Sequence, residues 1–118
     1  MLKSFRHAGR GVATLIATQS NARIHLAVTA GVAILGFIYR LTPGEWCWLV
    51  AAAALVWTAE AMNTAVELLG DAASDGKHHA LVGKAKDVAA AGVLLAAMGA
   101  ALIGVIILLP QIMYNVRR

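Results

Sequence analysis

The sequence predicts an all-α integral membrane protein, with an N-terminal amphipathic surface helix and three transmembrane helices in one domain spanning residues 1–118. Three observations carry that reading. Of the 118 residues, 60% are hydrophobic and 14% charged, with a mean hydropathy of +0.73, a composition suited to lipid rather than to water. The apolar residues fall into three long runs separated by short polar stretches. The acidic residues are also grouped: Glu60, Glu67, Asp71 and Asp87 lie in one stretch, 60–87, which leaves the second run through a polar loop and enters the third.

Residues 1–22 read as the surface helix. Leu2, Phe5, Ala8, Val12, Leu15 and Ile16 fall on one side of a helical projection and Lys3, Arg6 and Arg10 on the other, the pattern of a helix lying in the membrane interface. Residues 24–40 form the first span, broken by His25 and flanked by Arg23 and Arg40. At 1.5 Å per residue it is about 24 Å long, so snorkelling arginines and local bilayer thinning are needed to seat it. Thr42-Pro43-Gly44 reads as a turn, and Trp46 and Trp48 mark an interface. The second span covers 46–70, with Glu60 about 21 Å from Trp46 along the axis. Residues 72–84 read as a polar loop. The third span covers 87–109 and is expected to end at Pro110. Gly92, Ala96, Ala100 and Gly104 make a small-residue face on it, expected to pack against another helix.

Basic residues set the expected topology. Lys3, Arg6, Arg10 and Arg23 precede the first span, and Lys77, Lys84 and Lys86 lie between the second and third. Only Arg40, Arg117 and Arg118 lie on the other side, which favours a cytoplasmic N-terminus and a cytoplasmic 60–87 stretch. The net charge of +4 suits anionic headgroups, and no nucleic-acid-binding module is legible. The lone Cys47, between Trp46 and Trp48, excludes an intrachain disulfide and reads as an interfacial thiol.

Glu60, Asn63, Glu67 and Asp71 share an arc of about 80° on a helix. Carboxylates at membrane depth are costly and face a bundle interior or a functional site. With Lys84, Lys86, His78 and His79 nearby, the inventory fits phosphoryl transfer. A carboxylate can take a hydroxyl proton, others can hold Mg²⁺ and a lysine can neutralise phosphate charge. Neither a Walker A loop nor a kinase Gly-rich loop is present. The same carboxylates could serve a small transporter with Glu60 as its proton or cation site.

The run Glu60-Ala-Met-Asn63-Thr-Ala-Val-Glu67, with Asp71, His79 and Gly83-Lys-Ala-Lys86-Asp87-Val-Ala-Ala-Ala-Gly, resembles the prokaryotic diacylglycerol kinase family, which includes the undecaprenol kinases of Gram-positive bacteria. The resemblance covers nearly the whole chain, and Arg23-Ile24-His25 is nearer the undecaprenol kinase branch. It implies an ATP- and Mg²⁺-dependent membrane lipid kinase of the bacterial cytoplasmic membrane, assembled as a homotrimer with composite active sites. By the same resemblance, Glu60 would be the base toward the lipid hydroxyl and Asn63 would help position substrate. Glu67 would ligate metal, Lys86 would meet the ATP phosphates, and His79 and Asp87 would sit at the nucleotide site. Gln19 stands where the family usually has a metal-holding glutamate; its amide oxygen can ligate Mg²⁺ but brings no charge. Ala13 stands where members often carry a basic residue, leaving Arg10 as the nearest cation at the nucleotide site. A non-catalytic family member is the remaining alternative.

Overall fold

An apolar chain in lipid must satisfy its backbone within itself, and helices do so segment by segment. The computed structural model describes residues 1–116 and consists of four helices: α1 (Leu2–Thr18), α2 (Ser20–Ile38), α3 (Pro43–Ser74) and α4 (Ala80–Val116). Arg117 and Arg118, which entered the topology count, lie outside the described residues. Helices α2, α3 and α4 are each long and apolar enough to cross a membrane, and the protein is a multi-pass membrane protein.

α1 is amphipathic as expected, but it stops at Thr18 rather than continuing to residue 22. Gln19 adopts an extended conformation and serves at once as the C-cap of α1 and the N-cap of α2. Arg23 explains why the joint falls there. Its Nε donates to the Ile16 carbonyl (3.2 Å) and its Nη2 to the Ala17 carbonyl (3.1 Å), satisfying acceptors that the end of α1 leaves open. Leu15 is the buried residue of α1, whereas Leu2 and Phe5 are 87% and 71% exposed. The apolar face of α1 therefore has little protein against it, as an interfacial helix requires.

The turn between α2 and α3 differs from the expected one. Arg40 takes a left-handed conformation (φ 52°), and the Leu41 amide donates to the Gly36 carbonyl (3.1 Å). Thr42 is already the N-cap of α3, with Pro43 and Gly44 inside its first turn. The Glu45 amide donates to Thr42 Oγ1 (3.2 Å) and the Thr42 amide donates to Glu45 Oε2 (2.9 Å), a reciprocal capping box. Proline suits the first helical position because its missing N–H would have been unpaired there. Glu45, the acidic residue remote from the polar stretch, is accounted for by this cap.

The polar connection expected over 72–84 contracts to residues 75–79, because α3 runs on to Ser74 and α4 starts at Ala80. Asp75 (φ 51°) and Gly76 (φ 72°) reverse the chain, with the Gly76 amide on the Asp71 carbonyl (3.1 Å). α4 also continues through Pro110 to Val116. Proline costs that helix one hydrogen bond but is tolerated in membrane helices, where neighbouring groups re-satisfy the freed carbonyl.

α3 and α4 pack as a long antiparallel pair, and α2 lies more sparsely against both. Leu41, Leu49, Ile107 and Leu108 form the apolar core at the end bearing Trp46, backed by Val32, Leu35 and Ile103. On α3 the buried stripe runs Leu49, Ala52, Val56, Glu60, Thr64, so Glu60 occupies a position that apolar residues fill one and two turns earlier. The small-residue face of α4 is only partly used: Ala96 is buried, while a Cβ at Gly92 or Gly104 would meet nothing within 4 Å.

Gly36 is where α2 crosses the start of α3. A Cβ there would lie 2.5 Å from Trp46 Cη2 and 3.2 Å from a Leu41 methyl. Because the indole cannot yield like a flexible chain end, Gly36→Ala is expected to destabilise the protein by about 1–3 kcal/mol, measured by thermal unfolding in detergent.

Candidate active site

The polar face of α3 passes from the buried to the exposed side of the protein. With Trp46 at one interface, Glu60 lies about 21 Å away along the axis and Glu67 about 32 Å, against a hydrocarbon thickness of about 30 Å. Burial follows that order: Glu60 is buried, Asn63 and Glu67 are half-buried and Asp71 is exposed. The arc expected from the sequence is thus a ladder of polar groups leading from the apolar interior to the water.

Glu60 is the largest fully buried side chain, 2% exposed. It is paired with His25 of α2, whose Nε2 lies 3.1 Å from Glu60 Oε1. One turn away the same two helices are joined again. Trp57 Nε1 donates to Thr29 Oγ1 (3.2 Å), and the Thr29 hydroxyl donates to the His25 carbonyl (2.7 Å). Sequence reasoning noted His25 as a break in the first span but gave it no place in the site. The available signal was that His25 and Glu60 are both polar interruptions of apolar runs.

One turn beyond Glu60, Asn63 Nδ2 donates to Glu67 Oε1 (3.1 Å). That bond fixes the amide orientation and leaves Asn63 Oδ1 buried without a partner; Thr64 Oγ1 is likewise buried and unpaired. Unpaired buried acceptors are costly. Asn63 lies beside a groove of about 520 Å³ between α3 and α4, lined also by Val66, Lys84 and Val88 among others. A second groove of about 630 Å³ runs between α2, α3 and α4, from His25 past Val56 and Ala97 to Trp46 and Leu109. Glu60 stands between the two, since its neighbours Ala59 and Val56 line one each.

At the watery end, Lys86 Nζ donates to Asp71 Oδ1 (2.5 Å), the side chains being 35% and 62% exposed. Gly70 makes room for this pair: a Cβ there would sit 2.8 Å from Val82 Cγ1 and 3.1 Å from Lys86 Cε. His79 caps α4, its Nδ1 accepting from the Val82 amide (3.4 Å). Arg10, Gln19 and Asp87 make no side-chain hydrogen bond to the α3 ladder: Arg10 and Asp87 are exposed, and Gln19 sits half-buried in the α1–α2 joint. No group of three or more His, Cys, Asp or Glu suited to a metal ion occurs among the described residues.

Asp71 and Lys86 are open to water, so their mutual stabilisation is small. Asp71→Asn is expected to change thermal stability by less than about 1 kcal/mol, and less still at high salt. Unfolding at two ionic strengths checks this.

Residues 6–108 match the family described as prokaryotic diacylglycerol kinase. The chain is 38% identical over 110 residues to the undecaprenol kinase of Bacillus subtilis (strain 168), covering 93% of this chain and 89% of that protein. It is 37% identical over 113 residues to the diacylglycerol kinase of Synechocystis sp., covering 96% of this chain but 65% of that longer relative.

Proposed function

We propose, from the premise that the chain belongs to the prokaryotic diacylglycerol kinase family, that it transfers the γ-phosphoryl group of ATP to the hydroxyl of a membrane lipid alcohol, diacylglycerol or undecaprenol. The observation that carries this reading is the α3 ladder: a buried carboxylate at Glu60, the Asn63–Glu67 pair above it and Lys86 at the watery end. A lipid alcohol presents its hydroxyl from the apolar side and a nucleotide presents its phosphates from the watery side, so the two would meet along this face.

The residues present fit Mg²⁺ bound with a nucleotide. That ion takes one or two carboxylates, the rest of its shell being phosphate and water oxygens. Glu67 has a carboxylate oxygen not engaged by Asn63, and Asn63 Oδ1 is an unpaired oxygen next to it. Glu67 would hold the ion, with the Gln19 amide oxygen as a second ligand. When bound, the ion neutralises charge developing on the transferred group.

Glu60 acts as the base, accepting the hydroxyl proton as the lipid oxygen bonds to phosphorus and the bond to the ADP oxygen breaks. Transfer is direct and in line. Asn63 orients the reacting groups through its free carbonyl oxygen. Lys86 exchanges Asp71 for a phosphate oxygen, while His79, Asp87 and Arg10 border the nucleotide. The groove headed by His25 takes the apolar body of the lipid. The active form is a homotrimer. Sites completed by a neighbouring copy are in keeping with Arg10, Gln19 and Asp87 making no side-chain hydrogen bond to the ladder among the described residues. The N-terminus and the ladder's open end face the cytoplasm of a bacterial cell, in keeping with Lys77, Lys84 and Lys86 on that side.

The test is purified protein in detergent micelles with Mg²⁺ and γ-labelled ATP, offered diacylglycerol and undecaprenol separately. Label should move to one of them. Failure on both by folded protein counts against the kinase reading, unless Gln19→Glu restores transfer. Glu60→Gln should lower turnover by about 10² or more and leave the assembly state unchanged; near-parental turnover would remove Glu60 from the base role. The defect of Glu67→Gln should shrink as Mg²⁺ is raised, and a defect insensitive to Mg²⁺ would argue against ligation.

A further inference from the structure

We infer that His25 is a positioning residue for Glu60: it holds one carboxylate oxygen so that the other is the acceptor presented to the lipid hydroxyl. This inference rests on the reading of Glu60 as the base.

In the base reading Glu60 is a carboxylate, which only accepts hydrogen bonds, and that assigns the proton of the contact to His25 Nε2. Glu60 Oε2 makes no hydrogen bond among the described residues, and it is the oxygen left for a hydroxyl. On the buried stripe of α3, Glu60 follows the apolar residues Leu49, Ala52 and Val56, with Thr64 one turn beyond it. Without its donor, the carboxylate would be an unpaired charge in an apolar wall, free to rotate toward any other donor in reach.

A second, independent observation concerns what holds His25. Its own carbonyl accepts from Thr29, and Thr29 accepts from Trp57, one turn before Glu60 on α3. The donor on α2 and the acceptor on α3 are therefore mounted on one brace, which sets their register. His25 is 22% exposed and lines the groove between α2, α3 and α4, so the bond to Glu60 is made at the groove's edge. Such an arrangement aligns a base before its substrate arrives, and its loss is read in turnover rather than in substrate affinity.

The experiment compares His25→Leu and His25→Gln, each alone and combined with Glu60→Gln, in the micellar assay with separate kcat and KM for lipid and ATP. His25→Leu should lower kcat by about 10- to 100-fold with both KM values within about threefold of the parent. His25→Gln retains an N–H at similar reach and should recover kcat to within about fivefold of the parent. In the Glu60→Gln background, His25→Leu should have no further effect, because the group it positions is gone. Parental kcat in His25→Leu would overturn the inference. So would His25→Gln performing no better than a folded His25→Leu, or a full additive loss in the double variant. If His25→Leu does not fold, the inference stands on His25→Gln alone: kcat lowered 10-fold or more there overturns it. Parental turnover in Glu60→Gln would remove the base reading itself, an outcome distinct from any failure of His25.

Discussion

A carboxylate buried in an apolar wall must be paired, and the hydrogen bond between His25 and Glu60 meets that demand across two helices. Much of the architecture follows from it. α3 and α4 are held by extensive antiparallel packing, but α2 lies sparsely against them. Apolar contact is a weak organising force among lipid tails, which are as apolar as the helices, so polar contacts and close packing decide where a membrane helix docks. At the site end α2 is docked by two polar rungs, His25–Glu60 and Thr29–Trp57. At the other end it is docked by the fit of Gly36 against Trp46. The group best suited to chemistry is thus also one that holds the fold in register.

The rest of the ladder is organised by depth. Along the polar face of α3 exposure goes from buried Glu60 through half-buried Asn63 and Glu67 to exposed Asp71, and the partners change with it: a histidine in the interior, an amide at the boundary and a lysine in water. Arg23 ties the end of α1 to the start of α2.

The spans and the polar arc were legible in the sequence because both are periodic signals on one helix. The helix ends were less legible, and the reason differs from place to place. Hydropathy marks where a helix leaves lipid, not where it stops, so residues 72–74 and 80–84 read as loop although they extend α3 and α4. Thr42-Pro43-Gly44 carries turn residues, yet Thr42 caps and Pro43 starts α3, because the same chemistry serves the first turn of a helix. Gln19 interrupts no periodicity; the break there depends on Arg23 reaching back, a side chain-to-backbone contact that no pattern encodes. The pairing of His25 with Glu60 was hidden for a related reason. The two are 35 residues apart, and their meeting depends on the left-handed turn at Arg40, which sets how α2 faces α3.

Large apolar side chains remain uncovered around all four helices, among them Phe37, Leu55, Leu69, Leu95 and Ile106. Whatever covers them, lipid tails or neighbouring chains, is part of the folded state in the thermodynamic sense. A midpoint of unfolding for this protein is therefore a mass-action quantity: it moves with the mole fraction of protein in the micelle or bilayer, and with the amphiphile chosen, even when no residue is changed. Two preparations of the same chain can differ in apparent stability as much as a parent and a mutant do. Comparisons between variants carry meaning only at a fixed ratio of protein to lipid.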